Sequence, residues 1–195
     1  MKHPRTTRDR LLDAAADILE CDGLPQLNTN ALAERAGVTP PTVYRNFNNK
    51  EEVMECLAKR FIEAERQWLS GGDGSLDIEG DLEAIVGALI ERYWASAREH
   101  RGIVALRSAM RVWPSLRPIE EASLRSSTRL LADLLAPHLP DVPPKRLSRI
   151  ARYTVETVCA SVDRCYPLAP DEQSWRIKHL KSCIAMYLSS QASRA

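Results

Sequence analysis

Residues 28–50 read NTNALAERAGVTPPTVYRNFNNK, and the order of caps, turn and apolar spacing in this stretch decides the fold. Asn28 has the side chain to cap a short helix, and Gly37 falls where that helix's C′ residue needs φ > 0. Thr39 can cap the next helix, with Pro40 at its first position, where the N–H would go unpaired in any case. Two helices of about two turns, joined by a turn of about three or four residues with Gly, make a helix-turn-helix. Ala33 is small where the pair must cross closely, and Leu32, Val38 and Val43 are apolar at inward positions. Such a pair cannot bury its faces alone, so a third helix must supply another wall.

That wall is expected just upstream. Residues 7–21 carry Leu11, Leu12, Ala15, Ile18 and Leu19 on one helical face, with Thr6 or Thr7 as the cap and Asp22-Gly23 as the stop. Downstream, a second long helix is expected from Asn49 to about Leu69, where Asn49 and Glu52 have capping-box spacing. Ser70-Gly71-Gly72-Asp73-Gly74-Ser75 reads as a loop. Beyond it, Leu82, Ile85, Val86, Leu89, Ile90, Tyr93, Trp94 and Ala97 repeat at helical spacing. A shorter helix over 102–112 is ended by Pro114, and another runs over about 119–136. The last two long helices use Leu147, Ile150, Ala151, Thr154, Val155, Val158 and Val162, then Ile177, Leu180, Ile184, Tyr187 and Leu188. No stretch alternates at period two for long enough to be a half-buried strand, so the fold class expected is all-α.

Composition narrows the function. The chain has 195 residues, with 27 Lys or Arg against 26 Asp or Glu, so a nucleic-acid site has to be local rather than a matter of bulk charge. No stretch approaches about 18 uncharged apolar residues, so no membrane span or membrane partner is expected. No secretory h-region follows the basic start, and five widely spaced cysteines suit reduced thiols in a cytoplasm, the expected location. Enzyme signals are missing: no G-x-S-x-G, no Walker loop, and no G-x-G-x-x-G after a strand. His3, His100, His138 and His179 are isolated, so neither a metal site nor a cofactor is expected.

Taken together, Ala33, Gly37-Val38-Thr39, Thr42-Val43-Tyr44-Arg45-Asn46-Phe47 and Lys50-Glu51-Glu52 resemble the TetR family of bacterial transcriptional regulators. The likeness covers residues 7 to about 60 in detail; beyond it, only length and helical layout agree. Pro40-Pro41 departs from the family pattern, which has a single proline or a small residue there. Residues 11–29 also carry four acids and no Lys or Arg.

The resemblance implies roles that chemistry supports. A recognition helix places its N-terminal residues on base edges in the major groove. Thr39, Pro40, Pro41 and Thr42 would lie there, the threonine offering a hydroxyl and the prolines apolar contact to thymine methyls. Arg45 would grip a guanine or a phosphate, and Asn46 is a candidate of the same kind. Tyr44 resembles the family's phosphate-contacting tyrosine. Thr29 and Asn30 open the helix that crosses the DNA backbone. Lys50 sits in the first turn of its helix, the wrong end of the dipole for a cation unless a phosphate docks there. Arg8, with Lys2, Arg5 and Arg10, forms a basic arm that reads either as a groove contact or as a solvated terminus.

For the rest of the chain the resemblance implies an inducer pocket and a homodimer through the last two long helices. Trp175, Ile177, Leu180, Ile184, Tyr187 and Leu188 form a wide apolar stripe that suits a dimer seam. Trp68, Tyr93, Trp94, Met110 and Trp113 are candidate pocket residues, with His100, Arg107 and Arg111 as polar anchors. The expected organisation is a DNA-binding domain over 1–50 and a ligand-binding and dimerisation domain over 51–195, with a connecting helix at about 50–69. The function expected is a homodimeric regulator, in the main a repressor, that binds palindromic operator DNA and is released by a small-molecule effector. A helical ligand-binding protein without DNA function, or a helical enzyme on the same scaffold, are the alternatives.

Overall fold

A computed structural model describes residues 6–69 and 80–192, apart from the side chains of Trp68 and Leu69. Lys2 and Arg5, the Gly/Ser segment 70–75 and the side chain of Trp68 therefore lie outside the described residues. Among the described residues the chain forms nine α-helices, two 3₁₀ turns and no strand. The all-α expectation holds. No helix of the described residues is long and apolar enough to cross a membrane.

The helices are α1 (Thr7–Cys21), α2 (Thr29–Ala36), α3 (Pro40–Asn46), α4 (Lys50–Leu69), α5 (Leu82–Glu99), α6 (Ile103–Val112), α7 (Arg117–Leu135), α8 (Pro144–Cys165) and α9 (Pro170–Ala192). Thr6 closes a full capping box on α1: its hydroxyl accepts from the Asp9 N–H, and the Asp9 carboxylate accepts from the Thr6 N–H. At the other end the Asp22 and Gly23 N–H groups both return to the Ile18 carbonyl, with Gly23 at φ 82°. α7 starts two residues earlier than the spacing suggests, since a proline in the first turn costs no intrahelical bond. The 3₁₀ turns at Leu24–Gln26 and Ala136–His138 had no signal in the apolar periodicity.

The chain divides into two compact units. The first holds residues 1–64 and 99–120, so α1, α2, α3, most of α4 and also α6 share it. Leu11, Ile18, Leu32, Met54, Ile103 and Leu116 are wholly buried there. α6 joins α1 through Gly102, which has φ 69° and whose N–H donates to the Glu20 carboxylate at 2.6 Å. A Cβ at Gly102 would stand 2.7 Å from the Ala16 carbonyl oxygen and from Leu19 Cβ, so only glycine lets the two backbones meet. Arg101 pairs with Asp17 beside it at 2.8 Å.

The second unit holds residues 65–98 and 121–195. Its core joins Val86, Ile90, Tyr93 and Trp94 of α5, Leu131 and Leu135 of α7, Leu147, Ile150, Ala151 and Val162 of α8, and Ile177, Ile184 and Leu188 of α9. The apolar stripe of α9 thereby splits. Ile177, Ile184 and Leu188 are internal to the unit, Leu180 and Tyr187 are half-buried, and Trp175 is exposed. A helical repeat shows that a face is apolar; it does not tell a chain's own core from a surface held for another chain.

Candidate nucleic-acid interface

The site begins with α2. Asn28 Oδ1 accepts from the Asn30 and Ala31 N–H groups at 3.1 and 3.0 Å, and its amide donates to the Gln26 carbonyl. At the C-terminal end, Gly37 takes the left-handed conformation, φ 64°, and returns its N–H to the last turn. Arg10 donates to the Ala36 carbonyl at 2.7 Å, which places a cation on the negative end of the helix. Two turns of helix are thus closed at both ends by side chains that the sequence displays.

α3 follows with Thr39 as its N-cap residue and Pro40 at its first position. The Thr39 hydroxyl makes no capping bond. It meets the Thr42 hydroxyl at 3.1 Å instead. Arg45 folds back along the helix, donating from Nη2 to the Thr42 hydroxyl at 3.2 Å and from Nε towards the Pro41 carbonyl at 3.4 Å. Asn46 donates from its amide to the Thr42 carbonyl at 2.8 Å. Val43 and Phe47 are buried beneath, while Pro40, Pro41, Tyr44 and Arg45 face outward. Tyr44 is 61% exposed, which is more than a packing role requires of so large a ring.

At the start of α4 the Glu52 N–H donates to Asn49 Oδ1 at 2.8 Å, the forward half of the expected capping box. The return bond goes one residue further back, because the Glu52 carboxylate accepts from both the N–H and the amide of Asn48. The Asn48 N–H, then the Asn48 amide and Arg8, hold the Glu52 carboxyl below the usual carboxylate range. Lys50 Nζ donates to the Leu24 carbonyl at 3.0 Å and lies 5.6 Å from the centre of the Trp113 ring.

Asn28, Thr29, Tyr44, Asn49 and Lys50 meet around one small cleft of about 20 Å³, floored by Leu32, Val43, Phe47 and Val53. The N-terminal turns of α2 and α4 both border it, with a lysine, a phenol and a hydroxyl at the rim. Helix N-termini carry unpaired N–H groups and positive potential, so the arrangement suits an anion such as a phosphate. Asn30, Thr39, Pro40, Pro41, Thr42, Arg45 and Asn46 do not line the cleft. The α3 residues among them form a separate outward row of hydroxyl and guanidinium groups.

Arg8 has a different position from that of a free arm. It donates to the Asn46 carbonyl at 2.9 Å, to Cys56 Sγ at 3.0 Å and to Glu52 at 3.3 Å, and it lies 4.5 Å over the Phe47 ring. It therefore ties α1 to the end of α3 and to α4.

The candidate pocket residues are divided between the units. Tyr93 and Trp94 are buried in the second, with Arg98 5.9 Å over the Trp94 ring. His100, Arg107, Met110 and Trp113 belong to the first, where His100 meets Phe61 edge-on at 5.2 Å and Arg107 lies 5.1 Å over the same ring. Arg111 pairs with Glu120 at 3.7 Å. The buried hydroxyls of Thr128 and Thr154 in the second unit find no hydrogen-bond partner among the described residues; sequence reasoning placed Thr154 on the buried face of its helix and did not reach Thr128. Nor did it reach the Leu24 carbonyl, since a backbone acceptor has no residue-type signal.

Known proteins resemble this chain along most of its length. Residues 11–57 match the family model described as "Bacterial regulatory proteins, tetR family", and residues 81–188 match "Tetracyclin repressor-like, C-terminal domain". The HTH-type transcriptional regulator TtgW of Pseudomonas putida is 35% identical over 88 residues, 45% of this chain and 63% of that protein. The tetracycline repressor protein class D of Escherichia coli is 35% identical over 58 residues, 30% of this chain and 27% of its own length. The matches thus span less than two thirds of either relative. A TetR-family transcriptional regulator from Streptomyces coelicolor superposes with a TM-score of 0.67 at 26% identity, covering 95% of this chain and 99% of that one.

Proposed function

The chain belongs to the TetR family of bacterial regulatory proteins, and from that premise we propose that it is a homodimeric repressor that binds palindromic operator DNA and releases it when a small molecule binds. The observation that carries the reading is the cleft bordered by Thr29, Tyr44, Asn49 and Lys50, beside the outward row of Thr39, Thr42 and Arg45 on α3. In this reading the cleft takes a backbone phosphate, with Asn30 beside it at the start of α2, while Arg8 contributes indirectly by tying α1 to α3 and α4. The row, with Pro40, Pro41 and Asn46, meets base edges. The likeness to the tetracycline repressor supports repression as the outcome. A cytoplasmic location is part of the same proposal, since operator DNA would be met there.

Dimerisation is supported by surface chemistry. Tyr153 of α8 and Trp175 and Met186 of α9 are each more than half exposed, on the last two long helices. A two-fold dimer sets its recognition helices about 34 Å apart, one turn of B-DNA, and large apolar side chains on those helices give it a seam. Effector binding is supported by Tyr93, Trp94 and the unpaired Thr128 and Thr154 hydroxyls, since buried polar groups are costly until something satisfies them. The functional division, residues 1–50 for DNA and 51–195 for ligand and partner, is proposed with α4 as the connection. It cuts across the compact units, because α6 packs with α1.

The test is duplex binding by the intact chain across a salt series. Lys50→Ala should weaken every duplex alike and flatten the salt slope by about one unit. No salt-dependent binding to any palindromic duplex would favour the ligand-binding alternative without DNA function.

A further inference from the structure

Lys50 is an odd residue for its place: a cation on the positive end of a helix, on a long flexible stem. Free in solvent, its ammonium would sample many positions and would have to be ordered each time a phosphate arrived. In this structure it is already held. The Leu24 carbonyl accepts one of its N–H groups at 3.0 Å, and the Trp113 ring centre lies 5.6 Å away, within the range where an aromatic face attracts a cation. An ammonium has three donors, so two remain for an anion in the cleft that Lys50 lines with Thr29, Tyr44 and Asn49.

Trp113 is itself fixed. It is the C-cap residue of α6: its N–H returns to the Ala109 carbonyl, and its own carbonyl accepts from the Leu116 and Arg117 N–H groups. The far end of α6 is locked on α1 by Gly102 and Arg101. Lys50, Leu24 and Trp113 all belong to the first compact unit. The ring is half-buried, so it is open enough to meet a cation without being surrendered to the core.

We propose that Trp113 is a positioning residue for phosphate binding: its indole face, with the Leu24 carbonyl, holds the Lys50 ammonium at the mouth of the cleft. The inference rests on the phosphate role of Lys50 given above. It makes the end of α6, 63 residues along the chain from Lys50, a direct determinant of DNA affinity.

The experiment measures binding of the full chain to a short duplex of random sequence at low salt by fluorescence anisotropy. The proteins compared are the native chain, Lys50→Ala, Trp113→Phe, Trp113→Leu, and each Trp113 variant combined with Lys50→Ala, with thermal melts to confirm folding. Trp113→Leu should weaken binding by about three- to tenfold, Trp113→Phe by less, and neither should add to the loss in Lys50→Ala. An equal loss on the Lys50→Ala background would overturn the proposal, since a packing role acts whether or not the lysine is there. So would equal losses for Phe and Leu. Native affinity in Lys50→Ala would instead remove the phosphate role of the lysine, and the proposal with it.

Discussion

α2 and α3 span eight and seven residues, whereas α8 and α9 span 22 and 23. Helices as short as the first pair are not stable alone, because nucleation is costly and few bonds follow it. They depend on Asn28 at one end, Gly37 in the turn and a buried underside of Leu32, Ala33, Val43 and Phe47. The long pair depends far less on its ends. α8 starts at Pro144 with no side-chain capping bond, and its stability comes from Leu147, Ile150, Ala151 and Val162 in the core. The outer faces differ in the same way. The short pair turns hydroxyls, an amide and a guanidinium outward, suited to a polar, anionic ligand. On the long pair the outer faces still carry Tyr153, Trp175 and Met186, which water does not favour.

The largest effects should come from breaking this contrast on α9. Ile184→Glu puts a carboxylate where the native side chain is 4% exposed, so the second unit should lose about 3 kcal/mol or more of stability, read by thermal melting. Trp175→Glu with Met186→Glu should leave each subunit folded, with a melt lowered only by the lost association, yet separate the subunits, together with operator binding, in sedimentation experiments. A dimer that survived both outer substitutions would place the seam elsewhere and erase the distinction between the two faces of α9.

Next comes Gly102→Ala in the first unit. The substitution combines φ 69° with a Cβ 2.7 Å from a backbone oxygen that cannot swing aside. A loss of about 2–3 kcal/mol is expected in urea unfolding. Weaker binding to all duplexes should accompany it, because α6 carries Trp113 to Lys50. An unchanged urea midpoint would mean that the α1–α6 contact is not part of what holds the first unit.

Smaller still are the base-directed changes. Thr42→Ala or Arg45→Ala should cost about 1–3 kcal/mol on the cognate operator and almost nothing on random duplexes. Arg45 spends two of its five donors on Thr42 and Pro41, and exchanging them for a base edge should register as a loss that appears only with the correct sequence. Equal losses on both duplexes would move Arg45 from base to phosphate.

Helix ends and the helix-turn-helix were legible in the residues because their causes are local. Thr6, Asn28, Gly37 and Asn49 each act on N–H or φ within three residues of themselves. The capping box at Asn49 was half legible, since Asn48 and Asn49 offer the same amide and only packing selects which one Glu52 meets. Thr29, Tyr44 and Lys50 were legible singly as phosphate candidates, but that they border one cleft was not, since it depends on how α2, α3 and α4 pack. What holds Lys50 was not legible either, because Leu24 contributes a backbone oxygen and Trp113 arrives through α6. His100, Arg107, Met110 and Trp113 fall in the first unit and Tyr93 and Trp94 in the second, a division that spacing along the chain does not show. The docking of α6 on α1 depends on Gly102, whose need for a bare backbone has no periodic signature.

The smallest expected effect on the fold offers the sharpest separation of folding from binding. Asn28 caps α2 through one oxygen that accepts from Asn30 and Ala31, and it also borders the cleft with Thr29, Tyr44 and Lys50. Asn28→Ala removes the cap and should cost about 1 kcal/mol of stability. Asn28→Asp keeps an oxygen in place, and its charge suits the helix N-terminus, although the bond from the Asn28 amide to the Gln26 carbonyl is lost. The net change in stability should stay within about 0.5 kcal/mol. Binding should respond otherwise, because a carboxylate at the rim repels an arriving phosphate. At an exposed site this amounts to about 1 kcal/mol at low salt, roughly fivefold in affinity, and it should fade as the ionic strength rises. Melting curves and anisotropy titrations at two salt concentrations distinguish the two variants. Asn28→Asp binding random duplexes as tightly as the native chain at low salt would mean that no phosphate enters the cleft, and the polar outer face of the short pair would then be left to α3 alone.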